Sequence, residues 1–265
     1  MTFFPHRERF DTISDMLKRS LFFISLACGL AWLSLTHPTQ AAEIDSDQDG
    51  LTDEAEVSIY HTDSLKADTD GDGFNDGDEV QHGYSPLQGD QKKLTEVDSD
   101  KDYLSDAWEI ALGTNLMDPD SDGDKYLDGT EVQASYDPRN KANQKLSKNI
   151  EVDLKTQRLA YYLDNKKLEE FSISGGRKYY DTPTGEFTVL KKVPVKHYGG
   201  TGFDYPNTKW NLHFLSRKYN YYIHGAYWHN KFGTPQSHGC VNVSYTNMER
   251  LYDWAQVGTT IKITG

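Results

Sequence analysis

The sequence predicts a mainly β C-terminal domain with one or two helices, preceded by an acidic segment of repeated loops with short helices. Three observations lead there. From Asn149 onward apolar residues fall in short alternating runs bounded by Gly, Pro, Asn and Asp, the period of half-buried strands. Between residues 45 and 131 one spacing of carboxylates occurs four times. Charge is also divided: residues 42–148 hold 28 acids against nine bases, and residues 149–265 hold ten against 15. A chain of 265 residues exceeds one average domain. Its acidity excludes a general nucleic-acid binder, because phosphate needs a basic footprint. The 17 Tyr, 11 Phe and 5 Trp exclude full disorder, since they can fill a core.

The first element, residues 1–41, reads as a secretory signal peptide. Arg7, Arg9, Lys18 and Arg19 precede an uncharged apolar run, Leu21 to Leu35, and small residues Ala41 and Ala42 follow. Fifteen residues fall short of the roughly 20 that span a bilayer, so no stable membrane span is expected after cleavage. The expected location is outside the cytoplasmic membrane, in the periplasm or cell wall. Cys28 leaves with the signal, so the mature chain keeps one thiol, Cys240, and can form no internal disulfide. A lone thiol in an oxidising compartment is a candidate nucleophile.

Residues 42–138 contain DSDQDGLTDEAEV, DTDGDGFNDGDEV, DSDKDYLSDAWEI and DSDGDKYLDGTEV. Each places Asp at positions 1, 3, 5 and 9 and Glu at position 12, the ligand spacing of an EF-hand-type calcium loop. The candidate ligands are Asp45, Asp47, Asp49, Asp53 and Glu56; Asp68, Asp70, Asp72, Asp76 and Glu79; Asp98, Asp100, Asp102, Asp106 and Glu109; and Asp120, Asp122, Asp124, Asp128 and Glu131. Converging carboxylates repel unless a hard cation with many oxygen ligands sits among them, and calcium suits this better than magnesium. No helix of useful length precedes each loop, and the apolar residue falls at position 7 in the first three (Leu51, Phe74, Leu104). Ordinary EF-hands are therefore not expected. The segment resembles the bacterial thrombospondin type 3 repeat, which implies short helices after each loop, stacked through Val57, Val80, Ile110 and Val132. Structural calcium is the one expected cofactor, with none for catalysis. Residues 139–148, RNKANQKLSK, read as a linker. Because five carboxylates converge in each loop, the repeats are expected to order only with calcium, while the β domain folds either way.

In residues 149–265 the expected strands are NIEVDL, RLAYYLD, EEFSIS, GEFTVLKKV, WNLHFL, YNYYIHG and TTIKIT; SYTNMERLYDWAQ fits one amphipathic helix ahead of Gly258. His224, in YYIHG, and Cys240, in SHGCVN, lie sixteen residues apart. A thiol needs a base to become a thiolate near neutral pH, and acyl transfer needs N–H groups aimed at the developing oxyanion. Together with DTPTGEFTV and VDLKTQRLAYYLDNKKLEEFSISGG, these motifs resemble the L,D-transpeptidase catalytic domain, the YkuD-like β-sandwich.

That resemblance implies roles. Cys240 is the nucleophile, forming a thioester with a donor peptidoglycan stem peptide, and His224 is the proton donor and acceptor. His238 shapes the nucleophile turn, and the Gly239 and Cys240 N–H groups serve the oxyanion. Gly225, Ser237, Asn242 and Tyr222 line the substrate site, Ser237 with a structural part in the turn. Carbapenem-type β-lactams should acylate Cys240. The partners implied are peptidoglycan stem peptides and, as a further acceptor, a wall-linked protein, with no nucleic acid. Two alternatives stand beside a transpeptidase: an L,D-carboxypeptidase or endopeptidase using the same Cys with water, and a non-catalytic calcium-dependent wall-binding module.

Overall fold

In the repeats each loop runs directly into a helix that starts at loop position 9. These are α1 (Asp53–Ala55, continued by a π turn, Glu56–Tyr60), α2 (Asp76–His82), α3 (Asp106–Leu112) and α4 (Asp128–Ala134). Left-handed residues end them: His61, Gly83, Gly113 and Ser135. At eight residues or fewer, such helices cannot stand alone in water and depend on what packs against them. The computed structural model describes residues 44–265, so the expected signal peptide lies outside the described residues. No helix among the described residues is long and apolar enough to cross a membrane.

The C-terminal half is a sandwich of two mixed sheets. One has the order β3-β2-β1-β9-β4 and the other β5-β6-β7-β8. The strands are β1 (Lys148–Asp153), β2 (Arg158–Leu163), β3 (Lys166–Ser172), β4 (Gly185–Thr188), β5 (Lys191–Gly200), β6 (Phe203–Ser216), β7 (Asn220–Gly225), β8 (Val241–Val243) and β9 (Thr260–Thr264); α5 spans Tyr245–Trp254. Alternation puts Ile150, Val152, Leu159, Tyr161, Ile261 and Ile263 of the first sheet against Leu212, Phe214, Ile223, Val241 and Val243 of the second. Met248, Leu251 and Trp254 of α5 are fully buried in the same core.

Two departures from the sequence reading bear on the site. The run GEFTVLKKV is split: β4 pairs with β9 in one sheet, and β5 pairs with β6 in the other. The β5–β6 hairpin is also far longer than its apolar pattern indicates, because Pro194, Gly199, Gly200 and Pro206 interrupt an element whose faces are mostly exposed.

The repeats are not held apart from the sandwich. Leu104, Leu112 and Val132 join the sandwich core. The Trp108 ring of α3 meets Tyr161 edge-on at 5.8 Å, and its Nε1 donates to Glu169 Oε1 at 3.1 Å. Tyr161 Oη and Arg250 donate to the same carboxylate, at 2.6 Å from Tyr161 to Oε1 and 2.6 Å from Arg250 Nη2 to Oε2. A nearly buried Glu169 thus joins α3, β2, β3 and α5. Lys148, buried at the end of residues 139–148, donates from Nζ to Gln133 O of α4 at 2.9 Å and Trp254 O of α5 at 2.8 Å. One ammonium therefore caps the C-terminal carbonyls of a repeat helix and a sandwich helix. Burial pushes its pKa down to about 7. Residues 139–148 are likewise tied down, through a Tyr136–Lys145 bridge and Asp137 N donating to Gln144 O.

Candidate active site and acidic loops

The site is built where β7 and β8 run parallel. His224 pairs with Asn242 and Ile223 with Val241, so Cys240, just ahead of β8, is brought beside the C-terminal half of β7. The turn that ends at Cys240 needs a glycine: Gly239 has φ +111°, and a Cβ there would stand 3.0 Å from the Tyr221 ring. Ser237 Oγ accepts from Gly239 N at 3.0 Å and donates to Cys240 O. The Gly239 N–H is therefore engaged within the turn instead of facing a substrate oxygen, unlike the sequence expectation, and Cys240 N–H is the remaining motif donor.

His224 is buried, with Nδ1 2.8 Å from Gly225 O. A carbonyl can only accept, so Nδ1 carries the proton and Nε2 keeps the lone pair. Tyr198 stacks on this ring at 4.5 Å. Burial drives the His224 pKa down to about 4 and the Cys240 thiol up to about 11, a rise opposed by the Tyr222 backbone and the Lys196 charge. Thiol and imidazole are thus both neutral at pH 7, and Cys240 becomes a thiolate only by giving up its proton.

His238 is exposed and held differently. Its Nε2 lies 2.7 Å from Arg177 Nη2, which can only donate, so this nitrogen is an acceptor and the ring is neutral. Phe203 stacks on it at 4.6 Å and Tyr180 meets it edge-on at 4.8 Å. Asn242 is buried, its Nδ2 3.1 Å from His229 Nε2, and its backbone bonds Ser174 in both directions. Gly225 lies against the Tyr245 ring, and Tyr222 packs between Tyr198 and His213.

Sequence reasoning did not single out Arg177, Lys196, Tyr198, Phe203 or Tyr205. The last four come from the β5–β6 hairpin, which returns over the motif residues and stacks Tyr205 on Trp228 at 3.8 Å. No short motif marks them, because each reaches the site through sheet pairing.

We expect free Cys240 to alkylate slowly at pH 7, its rate rising about tenfold per pH unit to about pH 9, as thiolate accumulates toward a pKa near 11. His224→Gln should leave that profile in place while lowering turnover about 100-fold or more. Iodoacetamide labelling against pH is the measurement. A plateau near pH 6 would reveal a preformed thiolate–imidazolium pair, and a profile moved by His238→Gln alone would exchange the two histidine roles.

In each acidic loop the carboxylates at positions 1, 3 and 5 gather within 4.8 Å: Asp45, Asp47 and Asp49; Asp68, Asp70 and Asp72; Asp98, Asp100 and Asp102; Asp120, Asp122 and Asp124. One oxygen of each position-3 residue is buried without a partner, as are both Glu oxygens at position 12 in the last three loops and Glu56 Oε2 in the first. Burial and neighbouring aspartates raise Glu79 and Glu131 to about 7 and Glu109 to about 9. Orphaned, mutually repelling oxygens aimed at one point fit a hard divalent cation.

Position 9 is used otherwise. Asp53, Asp76, Asp106 and Asp128 each accept from the backbone N–H at position 2 of their own loop, at 2.8 to 3.0 Å. Asp76 also lies with Asp49 and Glu56 of the first loop. Asp49 Oδ2 accepts from Gly77 N, and Asp102 Oδ2 from Gly129 N, each at 2.8 Å. The loops are thereby joined as a first and second pair and a third and fourth pair.

Residues 147–263 match the L,D-transpeptidase catalytic domain model, and residues 45–67 and 68–83 match the bacterial thrombospondin type 3 repeat model. YqjB of Bacillus subtilis (strain 168), assigned by name to the L,D-transpeptidases, is 30% identical over 129 residues, covering 43% of this chain and 69% of that protein. An L,D-transpeptidase structure from Mycobacterium smegmatis is 25% identical with a TM-score of 0.43, over 46% of this chain and 61% of its own. One from Enterococcus faecium is 28% identical with a TM-score of 0.41, over 44% and 50%. The chain thus spans less than two thirds of those solved chains. With the family model laid over the whole sandwich and the relative covered over two thirds of its length, the chain belongs to the L,D-transpeptidase family, with bacterial thrombospondin type 3 repeats ahead of its catalytic domain.

Proposed function

We propose that the protein is an exported peptidoglycan L,D-transpeptidase whose acidic repeats bind calcium. The observation that carries the reading is the parallel β7–β8 pairing, which brings Cys240 beside the strand bearing a His224 whose Nε2 is free to take a proton. In the first half-reaction the Sγ proton passes to His224 Nε2, and the thiolate attacks the carbonyl ahead of the terminal D-alanine of a donor stem tetrapeptide. Cys240 N–H receives the oxyanion. The C–N bond then breaks, His224 returns the proton to the departing amine, and a thioester remains. In the second half-reaction an amine acceptor attacks the thioester, His224 takes its proton, the C–S bond breaks, and His224 passes that proton to the departing thiolate. Phe203, Tyr205 and Trp228 wall the site, and apolar walls favour an acceptor amine over water by limiting solvent.

In the repeats the residues that would hold calcium are those at positions 1, 3, 5 and 12. When bound, calcium supplies the positive charge those orphaned oxygens require. The position-9 aspartates brace the loops, and Asp76 also stands in reach of the first loop's site.

Incubating the calcium-loaded protein with a disaccharide tetrapeptide and resolving products by mass tests the reading. A cross-linked dimer is the expected product. A trimmed tripeptide would convert it to a carboxypeptidase, and no product would favour a wall-binding module.

A further inference from the structure

The loop between β3 and β4 carries a charge that the chemistry above does not use. Its backbone is tied to the nucleophile motif: Gly176 bridges to Ser237, and Arg177 N donates to Ser237 O at 3.1 Å. Gly176 N donates to Thr182 Oγ1 at 2.9 Å, and Tyr180 N to Arg177 O at 2.8 Å, so Arg177 projects from a closed turn. Its guanidinium is positioned twice more, at 2.7 Å from His238 Nε2 and 5.0 Å over the Tyr180 ring centroid.

What this arginine lacks is an acid. Arg139, Arg158 and Arg250 each pair with a carboxylate, whereas among the described residues no carboxylate oxygen lies within 4.0 Å of the side-chain nitrogens of Arg177, or of Arg217, which stands away from the motif. A guanidinium has five N–H donors in a rigid fork, and the side-chain contact here spends one of them on a neutral imidazole. An exposed fork, oriented by stacking and left without a counter-ion beside the nucleophile turn, is arranged to take a carboxylate bidentately. Lys178 adds positive charge next to it, and the nearest acid in sequence, Asp181, makes no side-chain bond to it.

We propose that Arg177 is a specificity residue that binds a carboxylate of the donor peptide, an inference that rests on the transpeptidase reading. Two carboxylates can stand beside the reacting bond: the terminus of the departing residue and, in a stem whose third residue bears one, the side-chain carboxylate of the residue that becomes the thioester. A neutral His238 stays compatible with either, since Arg177 can keep that bond and still present its remaining N–H groups.

The experiment measures the rate of Cys240 acylation by intact mass, in the full chain with calcium. Three tetrapeptide donors are compared: unmodified, C-terminally amidated, and amidated on the third-residue side chain. For the native protein one amidation should lower kcat/KM about tenfold or more, the scale of a hydrogen bond to a charged group, and identify the source. Arg177→Ala should cause a loss of the same size with the unmodified donor and no further loss with that amidated one, and Arg177→Lys should recover part of it. An equal loss with all three donors would overturn the proposal, because Arg177 would then act only through His238. If the native protein is acylated by none of them, the transpeptidase reading itself falls and the proposal falls with it.

Discussion

Removing calcium should weaken the catalytic sandwich together with the repeats. Reading the linker by composition leads to two independent transitions, but α3 and α4 are seated on the sandwich through Trp108, Glu169, Lys148 and Gln133, and Leu104, Leu112 and Val132 share its core. The helices that dock begin inside the third and fourth acidic loops, at Asp106 and Asp128. Emptying those loops leaves buried carboxylates facing one another at the root of each docked helix. With calcium at about ten times its dissociation constant, each site contributes about 1.4 kcal/mol, so the two docked loops together contribute about 3 kcal/mol. In a unit of this size that corresponds to a Tm lowered by about 6 to 12 °C on chelation. Calorimetry with calcium and with chelator, read beside near-UV dichroism, which reports Tyr161 and Trp254 packing in the sandwich, makes the measurement. Asp122→Asn in the fourth loop should reproduce about half of the shift and Asp47→Asn in the first much less. Glu169→Ala, which leaves Arg250 without its partner, should cost about 3 kcal/mol and reduce the sandwich's response to calcium. A sandwich transition indifferent to chelator would show that the docking carries no coupling.

Cys240→Ala should abolish turnover, by about 10⁴-fold or more, with little change in stability. The thiol is the only one in the described chain, it ends a turn held by Ser237, and its removal takes little volume from the site. Intact mass should show one carbapenem adduct on the native protein and none on the variant. An adduct retained by Cys240→Ala would remove Cys240 from the chemistry. Loss of fold in the variant, seen as a lowered Tm, would mean the thiol is a packing residue first.

Most strands were legible because their apolar residues alternate within a few positions, and each run from NIEVDL to TTIKIT contains or overlaps a strand. The hairpin β5–β6 was not. It is exposed on much of both faces, so it leaves no alternation to detect, and its length is set by pairing from Lys191–His213 to Gly200–Phe203. β8 went unseen because three residues, Val241 to Val243, show no period at all. Residues 139–148 read as a loose connection because they are polar, yet Lys148 is polar in order to meet two helix ends at once.

By itself the sequence determined whatever lies within reach of one turn or one loop. Carboxylates at positions 1, 3 and 5 must converge, and Ser237, Gly239 and Cys240 must share a tight turn, because a few bonds leave them no room to do otherwise. Only the tertiary structure decided that Cys240 comes beside the strand bearing His224, that Tyr198 stacks on the His224 ring, and that Asp49 and Asp102 accept from backbone N–H groups of the following repeat's helix. It also decided that Arg177 stands beside His238 at the Cys240 turn and that the repeats dock on the sandwich. Those outcomes depend on which distant strand or helix arrives at a given face, and burial and hydrogen-bond competition are settled only once the neighbours are in place.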